Sequence, residues 1–203
     1  MDPAERSPGP ALTTAQASGF PVGGEPLAVD LADTLVTVTS PPTDLLSSDE
    51  RNATFWALQT ARLPADAAVP DIRATQAMRA AVRELLDAHL EQRSPAPDAL
   101  ETVNQAAADA PTSPHLMVSG DGQLTAGIIW NNHDAQARTL AAVAGSVIEV
   151  LTGPAAGRLR RCANPACSML FVAADARRIW CTQNICGNRT RVARHYRRHR
   201  ADA

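Results

Sequence analysis

All four cysteines of this 203-residue chain fall within one short segment, in the order Cys162, Cys167, Cys181 and Cys186. Four residues separate the members of each pair, and thirteen residues lie between the pairs. Two such pairs on tight turns can surround one zinc ion with four thiolates, at Zn–S distances of about 2.3 Å in a closed tetrahedron. Four thiolates leave no open position for a substrate, so the metal would be structural. The sequence therefore predicts one structural zinc ion per chain.

Two other states of the cysteines stay open on the sequence alone. They could form two disulfides in a secreted domain, or they could be buried free thiols without a metal. The first twenty residues contain no apolar stretch typical of a signal peptide, which favours a reducing cytoplasmic location and therefore a metal site. No run of eighteen apolar residues occurs, so we expect no membrane span.

The positive charge of the chain is concentrated around the cysteines. Residues 158–200 hold eleven arginines and one acid, a net charge of +10. Residues 1–157 hold eight arginines and nineteen acids, a net charge of −11. This asymmetry indicates an anionic partner, such as nucleic acid, for the basic part. A unit of this size is too small to be held by its core alone, so metal ligation would supply its folding energy and leave its surface basic.

The acidic part of the chain predicts a mainly helical domain with at least one β-hairpin, which is an α+β fold. Apolar residues recur with helical spacing over 74–93 and 134–153, and a proline-flanked shorter helix is expected within 94–111. A Gly-Asp-Gly turn between two β-rich runs predicts a hairpin within 115–130. These elements must form the scaffold that carries the cysteine segment.

Two local features concern the beginning of this domain. Ser47 and Glu50 have the spacing of a capping box, which predicts that a helix begins at Ser47. Residues 26–38 fit a helix at their start and a strand near 34–39, and the pattern does not decide between them.

The division of the chain follows from these elements. Residues 1–19, rich in Pro, Ser, Thr and Gly, predict a disordered arm. The α+β domain then covers 20–153, and the basic cysteine module covers 158–203. The Gly- and Pro-containing joint at 153–157 and the charge split together predict that the two parts unfold separately.

Within the basic module, the stretch "MLFVAADARRIW" between the cysteine pairs predicts a strand, a polar turn and a second strand. This hairpin would carry Arg177 and Arg178 at its tip. The stretch "RTRVARHYRRHR" after the last cysteine predicts a helix with arginines on several faces.

The cysteine module resembles a known family. "WCTQNICGNRTRVARHYRRHR", with Cys186-Gly187-Asn188-Arg189 at its centre, is similar to the CGNR zinc finger of bacterial proteins, and "RLRRCANPACSMLF" is similar to its first cysteine pair. Upstream, "GGEPLAVDLADTL" and "FWAL" resemble the ABATE domain that usually accompanies this finger. One position departs from the family pattern, because Ala176 stands where a Ser or Thr before arginine is expected.

The resemblance implies a treble-clef-like finger, built from a knuckle, a hairpin and a helix that carries the second cysteine pair. It also implies a regulator of transcription, so we expect a zinc-dependent DNA-binding protein. The residues expected to contact DNA are basic side chains of the hairpin tip and the terminal helix, namely Arg177, Arg178, Arg189, Arg191, Arg194, His195, Arg197 and Arg198.

Two other functions are weighed against this one. In the first, the basic module binds an acidic protein, or the acidic domain of its own chain, and the protein is a docking adaptor. In the second, the protein is an enzyme such as a nuclease, with His195 and His199 one helical turn apart as ligands of a catalytic metal. No paired carboxylate lies near these histidines in the sequence, so we expect no enzyme.

The acidic domain is expected to bind a small-molecule effector or to form a homodimer. Candidate ligand contacts are Trp56, Asn104 and Trp130, which are aromatic or polar residues in a domain whose apolar residues are mostly aliphatic.

Overall fold

The computed structural model of the chain describes residues 16–20, 24–182 and 186–187. These residues combine helices with small antiparallel strand pairs, which confirms the predicted α+β class. In chain order the elements are α1 (Leu27–Ala32), β1 (Leu35–Val36), β2 (Thr43–Asp44), α2 (Asp49–Gln59), α3 (Ile72–Leu90), α4 (Pro97–Asp109), β3 (Thr112–Val118), β4 (Leu124–Trp130), α5 (Ala135–Thr152), β5 (Leu159–Arg161) and β6 (Leu170–Val172).

Helix α1 lies at the centre of the fold, and all six of its residues are buried. It packs against α3 and α5, and the Ser146 hydroxyl of α5 accepts a hydrogen bond from the Ala28 amide at 3.1 Å. The helix and the strand left open for residues 26–38 both occur, as α1 followed by β1. None of the described helices is long and apolar enough to cross a membrane.

Helix α2 begins one residue later than the capping-box spacing predicts. Its N-cap is Ser48, whose hydroxyl accepts a hydrogen bond from the Arg51 amide at 3.2 Å. Two adjacent serines offer the same cap chemistry, and the spacing to Glu50 selected the wrong one.

The long helix α3 begins and ends by recognisable local chemistry. The Asp71 carboxylate accepts hydrogen bonds from the Arg73 and Ala74 amides at its start. The helix ends at Leu90 rather than continuing to residue 93, because Gln92 has a positive φ of 54°. The Arg93 amide then donates to the Ala88 carbonyl, which is the pattern of a Schellman motif.

Helices α4 and α5 match their sequence predictions closely. Pro97 occupies the first turn of α4 and Asp98 follows it, while the Asp134 carboxylate caps α5. Gly153 ends α5, as its position predicts. Between the two helices, β3 and β4 form the predicted antiparallel hairpin around Gly122, whose φ is 82°.

The strand pairing inside the cysteine module differs from the prediction. Strand β6 pairs with β5, which precedes the first cysteine, and not with the segment at 178–180. The loop of this hairpin therefore contains Cys162 and Cys167. Residues 173–182 form turns, so Arg177 and Arg178 lie in a turn after β6 and not at a hairpin tip.

The two parts of the chain share one hydrophobic core, contrary to the independence expected from the joint at 153–157. Leu159 of β5 and Leu170 of β6 are fully buried in the same cluster as the residues of α1, α3 and α5. Leu170 directly follows the segment that carries Cys167. Helices α1 to α5, which we call the helical body, therefore pack beneath the cysteine module.

Candidate metal centre

The four cysteine sulfurs converge on one point. All four Sγ atoms lie within 4.8 Å of one another, with Cys167 and Cys181 at 3.8 Å and Cys181 and Cys186 at 3.6 Å. A tetrahedron of sulfurs around zinc, with Zn–S bonds of about 2.3 Å, has edges of about 3.8 Å. The cysteines are free thiols rather than disulfides. The donor set and its spacing therefore fit a four-coordinate structural zinc ion.

The first cysteine pair is held by a knuckle whose sequence determines its shape. The Asn164 carboxamide oxygen accepts a hydrogen bond from the Ala166 amide at 3.1 Å, and the Asn164 carbonyl accepts one from the Cys167 amide at 2.9 Å. Asparagine followed by proline favours such a turn, because proline fixes φ and the asparagine side chain binds the backbone two residues ahead. The Cys162 amide donates to the Met169 carbonyl and closes the loop.

The second cysteine pair is brought back by a separate turn. The Asp175 carboxylate accepts a hydrogen bond from the Arg177 amide at 2.8 Å, and the Ile179 carbonyl accepts one from the Ala163 amide at 2.9 Å. Beyond Cys181, the Thr182 carbonyl accepts from the Cys186 amide, which returns the last thiol to the cluster. The site thus depends on two chain segments, which meet around the sulfurs and through backbone bonds such as the one between Ala163 and Ile179.

The thiols perturb one another as expected for such close packing. The pKa of Cys167 is lowered to about 5, chiefly because Cys181 donates a hydrogen bond to its sulfur. The same interaction holds the proton on Cys181 and raises its pKa, and burial raises the pKa of Cys186 to about 11. Zinc binds thiolates, so metal binding must displace the protons that these sulfurs share.

The helical body supports the segment of the first pair through a buried carboxylate. Asp33 follows α1, and its two oxygens accept the Leu170 amide hydrogen at 2.9 and 3.1 Å. Burial raises the pKa of Asp33 well above its usual range, while the Leu170 bond and the nearby charge of Arg83 oppose that shift. Ser168 is fixed as well, because its hydroxyl accepts from the Thr37 amide at 3.1 Å.

A second support reaches the segment that carries Cys181. The Arg178 guanidinium donates to Glu25 and to the Cys181 carbonyl, each at 2.6 Å, and lies 4.5 Å above the Phe171 ring. The other Glu25 oxygen accepts from the Val172 amide at 2.8 Å. Glu25 therefore ties both β6 and the Cys181 segment to the beginning of the acidic domain.

The two arginines that sequence analysis grouped together have different environments. Arg178 is engaged by Glu25 and by the carbonyls of its own loop. The Arg177 side chain is 94% exposed, and the Asp175 carboxylate lies 3.8 Å from it. Of the two, Arg177 is the one available to an external partner.

A basic side chain of the cysteine module forms ion pairs with acidic side chains of the helical body. Arg161 of β5 forms ion pairs with Asp87 at 2.9 Å and Glu91 at 2.7 Å, at the end of α3. These side chains are partly exposed to solvent, which screens the two pairs and makes each of them weak. No local pattern in the sequence predicts that the module contacts Asp33, Glu25, Asp87 or Glu91, since these residues are far from it in the chain.

The remaining candidate residues divide into two groups. The three proposed ligand contacts have different surroundings: Trp56 is buried and donates to Asn52 and Thr75, Asn104 is exposed on α4, and Trp130 is half-buried at the end of β4. The terminal basic residues lie outside the part of the chain that the structure describes, namely Arg189, Arg191, Arg194, His195, Arg197 and Arg198.

Comparison with known families agrees with this geometry. A family model named ABATE, described as "Putative stress-induced transcription regulator", matches residues 25–154. The chain belongs to the ABATE family. A second model, the CGNR zinc finger, matches residues 158–199 and contains all four clustered cysteines. This ABATE protein therefore carries a CGNR finger with one structural zinc ion. A search of curated proteins found no match.

Replacement of one zinc ligand should release the metal. In Cys181→Ser, a hydroxyl replaces a thiolate that is in contact with two neighbouring sulfurs. We expect the purified wild type to contain one zinc ion per chain and the variant to contain much less, as measured by elemental analysis. The matched control is Ile179→Ala, an exposed position two residues away, which should keep its zinc. Wild-type protein that contains no zinc after purification without chelator would contradict the site.

Loss of the Asp33 support should weaken zinc retention although Asp33 is not a ligand. In Asp33→Asn, the side chain keeps its shape but loses the charge and one of the two oxygens that accept the Leu170 amide. We expect zinc to transfer to a chromogenic chelator about 10-fold faster than from wild type, since outer supports of a metal site typically change affinity by 10–100-fold.

The control for this variant is Asp66→Asn, which removes an equal charge from an exposed side chain that pairs with Arg138. Its rate of zinc transfer should equal that of wild type. Equal rates for Asp33→Asn and wild type would show that the helical body does not support the site.

Proposed function

We propose that this protein is a zinc-dependent, DNA-binding regulator of transcription. The basic CGNR finger contacts DNA, and the acidic ABATE domain binds an effector or mediates assembly. The family matches support the regulator class, and the charge distribution supports an anionic partner. The observation that carries the proposal is a zinc centre fixed on the helical body within a segment of eleven arginines and one acid.

The proposed DNA contacts follow from which arginines are engaged inside the molecule. Arg161 and Arg178 form ion pairs with acids of the helical body, so we leave both out of the DNA interface. Arg177 is exposed beside the zinc centre and is the proposed phosphate contact on the described part of the finger. The other proposed contacts are on the basic segment after the last cysteine, namely Arg189, Arg191, Arg194, His195, Arg197 and Arg198.

For the acidic domain, we propose fewer ligand contacts than the sequence alone suggests. Trp56 has its indole N–H bonded to Asn52 and Thr75 inside the core, so we assign it a structural role. Asn104 and Trp130 stay candidate contacts for an effector. We propose no catalytic activity, because four thiolates fill the coordination of the metal.

A docking adaptor is the second candidate. It is favoured by one observation, namely that Arg161 and Arg178 already bind acidic side chains of the same chain. A basic finger that binds carboxylates within the molecule can also bind those of another protein. The DNA experiment below separates the two functions.

Salt dependence of DNA binding tests the proposal. If the finger contacts four to six phosphates, log K should fall against log salt with a slope of roughly −4 to −5. Arg177→Ala, Arg194→Ala and Arg197→Ala should each weaken binding to all duplexes and make the slope shallower by about one. Loss of Arg191, our candidate for reading a base edge, should cost about 1–3 kcal/mol on the preferred site only.

The matched control is Arg138→Ala, which removes the same charge from the helical body, where Arg138 pairs with Asp66. Its slope should equal that of wild type. If zinc-loaded protein binds no duplex at low salt, the regulator function fails and the adaptor takes its place.

A further inference from the structure

The β3–β4 hairpin has two chemically different faces. The Asn131 amide donates to the Pro111 carbonyl and the Ser119 amide donates to the Gln123 carbonyl, which fixes the register over the whole hairpin. Directly paired residues of an antiparallel ladder place their side chains on the same face. The even-numbered residues therefore share one face, which we call the even face: Thr112, Pro114, Leu116, Val118, Leu124, Ala126, Ile128 and Trp130. The odd face carries Ser113, His115, Met117, Thr125, Gly127 and Ile129.

The even face is apolar and uncovered. Leu116 is 66% exposed, Val118 68%, Leu124 68% and Ile128 51%. No element of the described chain covers these side chains, although they form a contiguous patch across two strands. Exposed patches of this kind mark interaction surfaces, because a soluble protein gains by burying them. A two-stranded hairpin is also marginally stable in water without cover on its apolar face.

The charge of the hairpin restricts the partner. Between Pro111 and His133 the only acid or arginine is Asp121, at the turn. The outer surfaces of the helices, in contrast, carry exposed acids and arginines such as Glu91 and Arg93. A neutral apolar face fits another neutral apolar face, since burying an unpaired charge against it is unfavourable.

The shape of the even face allows it to match itself. On β4 the small Ala126 lies between the larger Leu124 and Ile128, and Leu116 lies directly opposite Ala126 on β3. When two copies of such a face stack about a two-fold axis, the large side chains of one can pack against the small side chain of the other. Two sheets packed in this way lie about 10 Å apart and bury both faces.

We propose that a second copy of this chain covers the even face, with the same face of its own hairpin. The contact is isologous and leaves the zinc centre outside the interface. It does not depend on DNA binding, and its test contains no DNA.

Two double variants test the contact with matched chemistry. Val118 and Leu124 are directly paired on the even face, and Met117 and Thr125 are directly paired next to them on the odd face. V118K/L124K and M117K/T125K therefore introduce the same charges at adjacent rungs of one ladder. Analytical ultracentrifugation of the full, zinc-loaded wild-type chain at micromolar concentrations should show a dimer. V118K/L124K should be a monomer and M117K/T125K should stay dimeric.

Folding is checked in each sample by zinc content and by far-ultraviolet circular dichroism. A second measurement uses wild type alone, in case a variant fails to fold. Amide hydrogen exchange in the hairpin should slow at protein concentrations where the dimer forms, whereas exchange in α3 should not change. A wild-type monomer at all concentrations would overturn the proposal, as would a dimer that both double variants keep or both lose.

Discussion

Four thiolates that share one metal ion must stay about 3.8 Å apart, and in this protein two separate chain segments carry them. Neither segment has a core of its own. Cys162 and Cys167 lie in the loop of the β5–β6 hairpin, whereas Cys181 lies in a bend and Cys186 in a helical turn beyond it. The zinc ion therefore joins the segments at the sulfurs. The Ala163–Ile179 hydrogen bond and the contacts of Arg178 with β6 hold them in a position where the metal can do so.

The helical body supplies that position. Asp33 binds the backbone next to the first cysteine pair, and Glu25 binds Arg178, which in turn binds the carbonyl of Cys181. Both acids belong to the ABATE domain, and Leu159 and Leu170 of the finger are buried in its core. A change in the position of α1 would thus reach both cysteine segments, which gives the acidic domain a physical route to the finger.

Local chemistry made much of this structure predictable. The helix boundaries, the β3–β4 hairpin and the cysteine cluster follow from periodicity, caps, turn residues and spacing, all of which act over a few residues. Errors arose where two local options were equivalent. Ser47 and Ser48 offer the same cap, and β6 had two possible partners, of which β5 was not considered because it precedes the cysteines.

The supports of the zinc centre were not predictable in this way. Asp33 and Leu170 are 137 residues apart, and Glu25 and Arg178 are 153 apart, so no periodicity or spacing connects them. Arg177 and Arg178 are identical in type and adjacent in sequence, yet one is exposed and the other binds Glu25. Only tertiary packing distinguishes them. For the same reason, the charge split suggested two independent units where the structure has one core.

The most direct test of this account is thermal unfolding of the full chain with and without zinc, followed by hydrogen exchange in α3 and in β5–β6. If the finger and the helical body form one unit, zinc-loaded protein unfolds in a single transition, and chelation lowers its midpoint and the protection of α3 together. Two transitions, of which the helical one is unchanged by chelation, would show that the finger is an independent appendage and would contradict the account.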